Sequence, residues 1–292
     1  SLTVIGGGVI GCEFASLLTD LGVAVEIVEF LPDLVSSEDR EISRRLLAAL
    51  RKKGIRVHLH NAVNNIEMEK GKVRLHLSSG QIINTSKVLL SVGRNPVMSI
   101  SFTDGGPAEE KGFIRVNNEM RTNLSNVFAI GDVTGKLMLA HTASKQGMIV
   151  ADIIRSQLRG DSGIGWDLEY TDIPRCTYTT PEIGSVGLTE EQARMKFGEI
   201  RMGRFLFSAC GKAIAIRQTF GFVKIISTVD GAIVGLHIIG PQATELIAQG
   251  AILLGMKAGL TDVKKIVFAH PTLSEAIMEA CEDSEGLAIH KI

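Results

Sequence analysis

His270 and Glu275 stand five positions apart in His270-Pro271-Thr272-Leu273-Ser274-Glu275. An imidazole titrates close to neutrality, and a carboxylate about one turn along the chain can orient it, so the pair suits proton transfer at physiological pH. The same six residues also describe a structural histidine placed just before a helix. The surrounding sequence has to decide between the two.

A second stretch carries a different chemistry. Gly6-Gly7-Gly8-Val9-Ile10-Gly11 has GxGxxG spacing. Gly6 permits a tight turn, Gly8 lets backbone approach a pyrophosphate, and Gly11 lets helix and strand pack closely. The helix that opens there offers free N–H groups and a partial positive charge to phosphates. Glu29 follows at the end of the next apolar run, eighteen positions beyond Gly11. A carboxylate there hydrogen-bonds a ribose 2′-hydroxyl and repels a 2′-phosphate, which favours NAD over NADP. FAD uses the same fingerprint, so the turn alone does not say which dinucleotide it holds.

The elements that must position these groups follow from periodicity. Residues 2–5 read as a buried strand. Residues 9–21 read as a helix, with apolar spacing through Ile10, Phe14, Leu17, Leu18 and Leu21 and a stop at Gly22. Strands at 24–29 and 55–59 flank an amphipathic helix at 39–53. Alternation over 64–77 around Lys70-Gly71-Lys72 predicts antiparallel strands, and 87–92 returns as a strand. This is a doubly wound α/β unit with an antiparallel insertion. Residues 97–112 read as a connector, 127–130 as a strand into Gly131-Asp132, and 141–158 as a helix. Further on, Thr189 to Gln192 has the form of a capping box. Strands are expected at 200–207, 222–228 and 233–239, the last two joined through Asp230-Gly231. Helices at 243–255 and 272–281 complete an α+β unit.

Composition sets outer bounds. The 292 residues carry a formal net charge of −1 with no concentrated basic run, which argues against a general nucleic-acid binder. The most apolar helical stretch, 246–256, is too short to span a bilayer. No basic region precedes the apolar start, so no signal peptide is expected. Cys12, Cys176, Cys210 and Cys281 form no CxxC, no CxxxxC and no zinc spacing with histidine. Buried thiols in a reducing, cytoplasmic compartment are the expectation.

Taken together, the motifs resemble those of the class I pyridine nucleotide–disulfide oxidoreductases. They resemble most the branch that oxidises dihydrolipoamide with NAD+. The matching stretches are residues 4–13, Ser91-Val92-Gly93-Arg94-Asn95-Pro96, residues 127–133, Met138-Leu139-Ala140-His141 and Tyr178-Thr179-Thr180-Pro181-Glu182, followed by residues 185–190 and 270–275. They occur in family order along essentially the whole chain. The resemblance implies an NAD-binding Rossmann-like domain at 1–112, the C-terminal segment of an FAD-binding domain at 113–169, and an α+β interface domain at 170–292. It implies that Gly6, Gly7, Gly8, Val9, Ile10, Gly11, Glu29, Val63 and Gly93 line the NAD site, with Glu13 near the nicotinamide. Gly131 and Asp132 then belong to an FAD motif, and Met138, Leu139, Ala140 and His141 to a segment beside the flavin.

The implied activity is oxidation of dihydrolipoamide by NAD+ through a redox disulfide and FAD. His270 is its base and Glu275 the group that holds the imidazole. The implied partners are a second copy of the chain, paired through the C-terminal domain, and a lipoyl-bearing protein of a 2-oxo acid dehydrogenase or related complex. In such a dimer the His270-Pro271 bond is cis and the histidine reaches the partner's disulfide. Three departures qualify this. The family's N-terminal FAD domain and its CxxxxC dithiol do not occur in these residues, so the chain alone is expected to be inactive. Phe268 stands where a second histidine is frequent. Cys210 stands where Asn is frequent, as a surface or packing thiol. The alternative is a non-catalytic NAD-binding and dimerisation module.

Overall fold

Short β-branched runs broken by glycine build the N-terminal lobe. A computed structural model describes every residue except Lys70, Ser99, Asp104, Asp167 and Ile292. It begins with β1 (Leu2–Ile5), α1 (Val9–Asp20), β2 (Val25–Val28), α2 (Arg40–Lys52) and β3 (Arg56–His58). The insertion β4 (Val63–Glu69), β5 (Lys72–Leu77) and β6 (Ile82–Thr85) precedes β7 (Lys87–Leu90). The parallel sheet has the order β3-β2-β1-β7, and the insertion is a separate antiparallel sheet of three strands. The expected turn at Lys70-Gly71-Lys72 includes Lys70, which lies outside the described residues.

Helix α1 lies where its periodicity predicts, but its buried face is not the apolar one. Gly11, Cys12, Ala15 and Ser16 face inward. Ile10 and Phe14 are each 44% exposed, Leu17 55% and Leu21 71%. Close approach to β1 selects small residues, since a Cβ on Gly11 would stand 2.0 Å from the Gly6 carbonyl oxygen. Of the five apolar positions only Leu18 packs against the lobe's core. Helix α2 behaves as an amphipathic helix should. Asp39 caps it by accepting from the Glu41 N–H at 3.0 Å, and Ile42, Leu46 and Leu50 are buried.

The chain divides into two compact units, residues 93–173 and residues 1–92 with 174–292. The first of these contains a short hairpin of β8 (Glu109–Glu110) and β9 (Phe113–Ile114), a 3-10 turn at Gly131–Thr134, and α3 (Ala140–Arg159). The strand expected at 127–130 is not one. A single bridge joins Arg121 to Phe128, and the Ala129 N–H donates to the Met120 carbonyl at 3.1 Å. An apolar run becomes a strand only with a ladder beside it, and here it meets one short return of chain.

Residues 174–292 form a second sheet in the larger unit. Its members are β10 (Arg175–Thr177), β11 (Glu182–Gly187), β12 (Ile200–Leu206), β13 (Phe222–Thr228) and β14 (Ile233–Gly240), in the order β10-β11-β14-β13-β12. The helices are α4 (Glu190–Phe197), α5 (Gly211–Ala215), α6 (Ala243–Gly255), α7 (Leu260–Lys264) and α8 (Glu275–Asp283). The capping box forms at Thr189, with Gln192 returning the bond. One sheet face buries Val223, Ile225, Leu236 and Ile238 in a core shared with α6 and α8. The other face gives Ile183, Phe222 and Ile239 to the core of the N-terminal lobe.

That second face also carries a polar row. Register aligns Arg175, Ser185, His237, Lys224 and Arg204 across all five strands. The row meets the acidic entrance of α2. Arg175 Nε lies 3.6 Å from Glu38, Arg204 pairs with Glu41, and the buried Lys224 ammonium sits 2.9 Å from Asp39 and 2.8 Å from Glu190. Burial pushes the Asp39 carboxyl up, but His237, the Glu190 amide and Lys224 outweigh it and hold it below the ordinary carboxylate value. A folded-state value held low contributes stability above the unfolded value and loses it as pH falls through the folded one. Unfolding free energy should therefore drop as pH falls below about 4. Lys224→Met, which strands Asp39 unpaired, should cost about 3–5 kcal/mol at neutral pH in urea titrations and flatten that acid slope.

Candidate dinucleotide turn and proton-transfer pair

Gly6, Gly7 and Gly11 of the N-terminal turn answer to packing and Gly8 does not; a Cβ on Gly7 would stand 2.5 Å from the Leu34 side chain. Gly6 has φ +106°, and a Cβ there would stand 2.2 Å from the Ser91 carbonyl oxygen. Gly11 has the close approach described above. Gly8 has φ −71°, open to any residue, and a Cβ on it would meet nothing within 4 Å. Nothing in the fold excludes a side chain at Gly8, so the space before it is free for backbone to meet a ligand. No side chain caps the helix that starts at Val9, which leaves its first N–H groups unsatisfied from within.

Glu29 closes the turn from below. Its carboxylate is buried, accepts from the Gly7 N–H through Oε2, and accepts from the Leu31 N–H through Oε1 at 2.7 Å. This fixes a negative charge at the C-terminal end of β2, beside the glycines. Burial, reinforced by the charges of Glu29 and Glu13, pushes the Cys12 thiol up to about 12. It donates to the Gly7 carbonyl at 3.3 Å as an inert packing group.

The other residues expected at this site are placed as follows. Val9, Ile10 and Gly11 form the first turn of α1. Glu13 accepts from the Tyr178 N–H at 2.8 Å, so it ties α1 to the loop before β11. Val63 opens β4 and packs against the small core of Ile5, Val28 and Leu75. Gly93 has φ +124° and begins the other compact unit. The structure thus brings Gly6 to Gly11 and Glu29 together in one turn, with Glu13 on the same helix.

His270 and Glu275 form the pair their spacing predicts. His270 Nδ1–H donates to Glu275 Oε1 at 2.9 Å, and the Thr272 N–H donates to Oε2 at 2.8 Å. One carboxylate oxygen closes the turn into α8 while the other fixes the imidazole, leaving Nε2 outward. Burial pushes the Glu275 carboxyl up, and the Thr272 amide with the His270 ring more than compensates and holds it low. The His270-Pro271 bond is cis. Cys210 is buried, not a surface thiol, and donates to the Thr272 carbonyl at 3.5 Å. Phe268 packs against the same core, and Gln249 donates to Ser274 Oγ at 2.8 Å. Thr272 is a partner of this pair that the histidine–carboxylate spacing alone does not disclose. Its signal was present, since Thr272-x-x-Glu275 is a capping-box pattern.

In the unit of residues 93–173, the Gly131 N–H donates to Gln146 Oε1 at 2.7 Å, with φ +74° at Gly131. Asp132 is exposed and pairs with Arg94 through Oδ2. Met138, Ala140 and His141 are exposed, and Leu139 is the uncapped entry to α3. These six residues lie along one turn and one helix start. No helix among the described residues is long and apolar enough to cross a membrane.

A parallel sheet with a glycine turn is joined in one unit to a five-stranded antiparallel sheet, with the histidine–carboxylate pair at the entry to α8. Residues 1–147 match the pyridine nucleotide-disulphide oxidoreductase family, and residues 173–281 match the dimerisation domain of that family. The chain belongs to the pyridine nucleotide-disulphide oxidoreductases. It is 37% identical over 299 aligned positions to a dihydrolipoyl dehydrogenase of Bacillus subtilis, covering 99% of this chain and 62% of that protein. A dihydrolipoyl dehydrogenase of Zymomonas mobilis is 38% identical, with 99% and 62% covered. Among solved structures, LpdA from Mycobacterium tuberculosis superposes with a TM-score of 0.86 at 25% identity, covering 96% of this chain and 61% of that one. The copper complex of the flavoprotein disulfide reductase RclA from Escherichia coli gives 0.86 at 27%, with 96% and 63% covered. The chain therefore spans about three fifths of the length of these relatives.

The contrast between the glycines is testable. Gly8→Val should leave the melting temperature within a few degrees of the parent but weaken NAD+ at least tenfold by calorimetry. Gly11→Val should lose both binding and about 1–3 kcal/mol or more of stability.

Proposed function

We propose that the chain is the NAD-binding and proton-transfer part of a dihydrolipoyl dehydrogenase. The observation that carries this is the doubly anchored Glu275 carboxylate, which presents His270 with its Nε2 free in a member of this family. Residues 1–112 serve as the NAD domain, 113–169 as the end of the FAD domain, and 170–292 as the interface through which two copies pair. The match of residues 173–281 to a dimerisation domain supports that pairing.

His270 removes a proton from a dihydrolipoyl thiol, and Glu275 holds the ring in the Nδ1–H tautomer so that Nε2 accepts. Gly6 to Gly11 and Glu29 bind NAD+, with Val63 and Gly93 at its edges and Glu13 near the nicotinamide end. The fit rests on the open space at Gly8 and the fixed carboxylate at Glu29. Gly131, Asp132 and residues 138–141 contribute to FAD binding, with one Asp132 oxygen beyond the Arg94 pair to meet a hydroxyl. FAD, when bound, carries the electron pair between dithiol and nicotinamide. The substrate is a lipoyl group on a protein of a 2-oxo acid dehydrogenase or related complex. Four thiols with no disulfide among them fit a reducing compartment such as the cytoplasm.

The four thiols also favour a second reading. Cys12, Cys210 and Cys281 are buried, and burial pushes Cys281 up to about 12, so none of these three is poised as a redox thiol. By itself the chain would then act as an NAD-binding, dimerising module. The 292-residue chain should give no NAD+ reduction with dihydrolipoamide and should purify colourless. Fused behind a relative's flavin domain with its CxxxxC dithiol, it should turn over. In that fusion His270→Gln should lower kcat/KM by about 10²- to 10⁴-fold and Glu275→Gln by less. Full turnover by the fused His270→Gln variant would sink the assignment of the base.

A further inference from the structure

We infer that the larger unit has a second anion site, for a small organic phosphate, in the cleft between the C-terminal end of α2 and the loops at 179–182, 217–220 and 240–242. The cleft has a volume of about 780 Å3, within the range of small-molecule sites. Its walls combine apolar surface from Ala49, Pro181, Phe220 and Pro241 with the cations Lys52, Lys53 and Arg217.

The charges there are unequally committed. Lys53 donates to Asp20 at 2.6 Å and to Ser16 at 2.9 Å, and Glu182 Oε2 accepts both the Thr244 N–H and hydroxyl. Lys52 and Arg217 have no described ion pair, so two cations outweigh one engaged carboxylate. A guanidinium and an ammonium lining one cleft suit a phosphate monoester better than a neutral solute. Phe220 is backed by the Arg45 guanidinium 4.3 Å from its centroid, which braces the ring as a wall for the body of the ligand.

Two of the eight non-glycine residues with positive φ among the described residues lie in the same cleft. Arg217 (φ +56°) and Gln242 (φ +54°) are both non-glycine residues in the left-handed region, and both line this cleft. Such conformations persist where surrounding structure over-determines them, and they gather at binding sites. Gln242 is also the N-cap of the 13-residue α6 and makes no side-chain capping bond. The Thr244 N–H and hydroxyl at that helix start are already held by Glu182, so Lys52 and Arg217 are the groups left to draw an anion into the cavity. The glycine turn contributes none of the lining residues, so the site is separate from the one proposed for NAD+.

The test uses the full chain with saturating NAD+ to occupy the glycine turn. Uridine 5′-monophosphate and ribose 5-phosphate are titrated by calorimetry and by amide shifts, with inorganic phosphate as the bodiless comparison. Saturable shifts at Gln218, Thr219 and Ala243 are expected, with the phosphate esters tighter than inorganic phosphate. Arg217→Glu and Lys52→Glu should each weaken binding about tenfold or more while NAD+ affinity and melting temperature hold. Unchanged binding in Arg217→Glu would overturn the inference. So would shifts confined to residues 6–11, or a response reproduced by sodium chloride at equal ionic strength.

Discussion

The buried Lys224 ammonium is the constraint on which the larger unit depends. It has been taken out of water, and the carboxylates of Asp39 and Glu190, with Glu41 at 3.5 Å, make that tolerable. Asp39 and Glu190 come from different places, the start of α2 and the start of α4, while Lys224 sits mid-sheet on β13. Asp39 also caps α2 and accepts the Glu190 N–H at 3.0 Å, so one side chain joins two helix starts and a strand. Apolar surface could have glued the same lobes at lower desolvation cost. The ionic arrangement ties the row Arg175, Lys224 and Arg204 to Glu38, Asp39 and Glu41, with Glu41 shared by Lys224 and Arg204.

The glycine turn inherits its position from this joint through α1. The helix packs by its small residues and then uses two polar ones to reach the other lobe. Glu13 takes the Tyr178 N–H, and Ser16 takes the Thr180 N–H at 3.0 Å. Both acceptors lie on α1, five and eight residues beyond Gly8, so the loop before β11 is fastened to the helix that presents the turn. This makes Glu13 a strut as well as a charge near the proposed nicotinamide end. The two roles do not compete, since only Oε1 is engaged with Tyr178.

Much of this was legible in the residue order, and the failures have physical causes. Strand–helix alternation through residue 92, the hairpin at Asp230-Gly231 and helix α6 follow from periodicity and turn chemistry alone. The buried face of α1 did not, because hydrophobic spacing reports which residues are apolar, whereas close helix–strand contact selects absence of volume. Strands β10 and β11 were invisible for a related reason. Threonine, proline and glycine crowd residues 177–187, and only pairing makes strands there, β11 with β10 on one side and β14 on the other. The run at 127–130 failed in the opposite sense, with strand composition and no ladder. The His270–Glu275 contact was readable from spacing, but its anchoring by Thr272 required seeing that the same glutamate also closes a capping turn.

That double use explains how an exposed imidazole can be held ready. His270 is 76% exposed on its side chain, and a histidine so open would ordinarily sample several rotamers. Glu275 is only 22% exposed, and its second oxygen is spent on backbone, so it cannot swing away to follow the ring. The rigidity therefore lies in the carboxylate and is lent to the histidine through one Nδ1–H bond. Behind Glu275, the Cys210 thiol bonds the Thr272 carbonyl and Gln249 bonds Ser274, which ties the turn to the packed core beneath it. An imidazole held this way needs no second chain to set its orientation. On the proposed assignment, a second copy is left to cover the ring, exclude water and bring a thiol to Nε2.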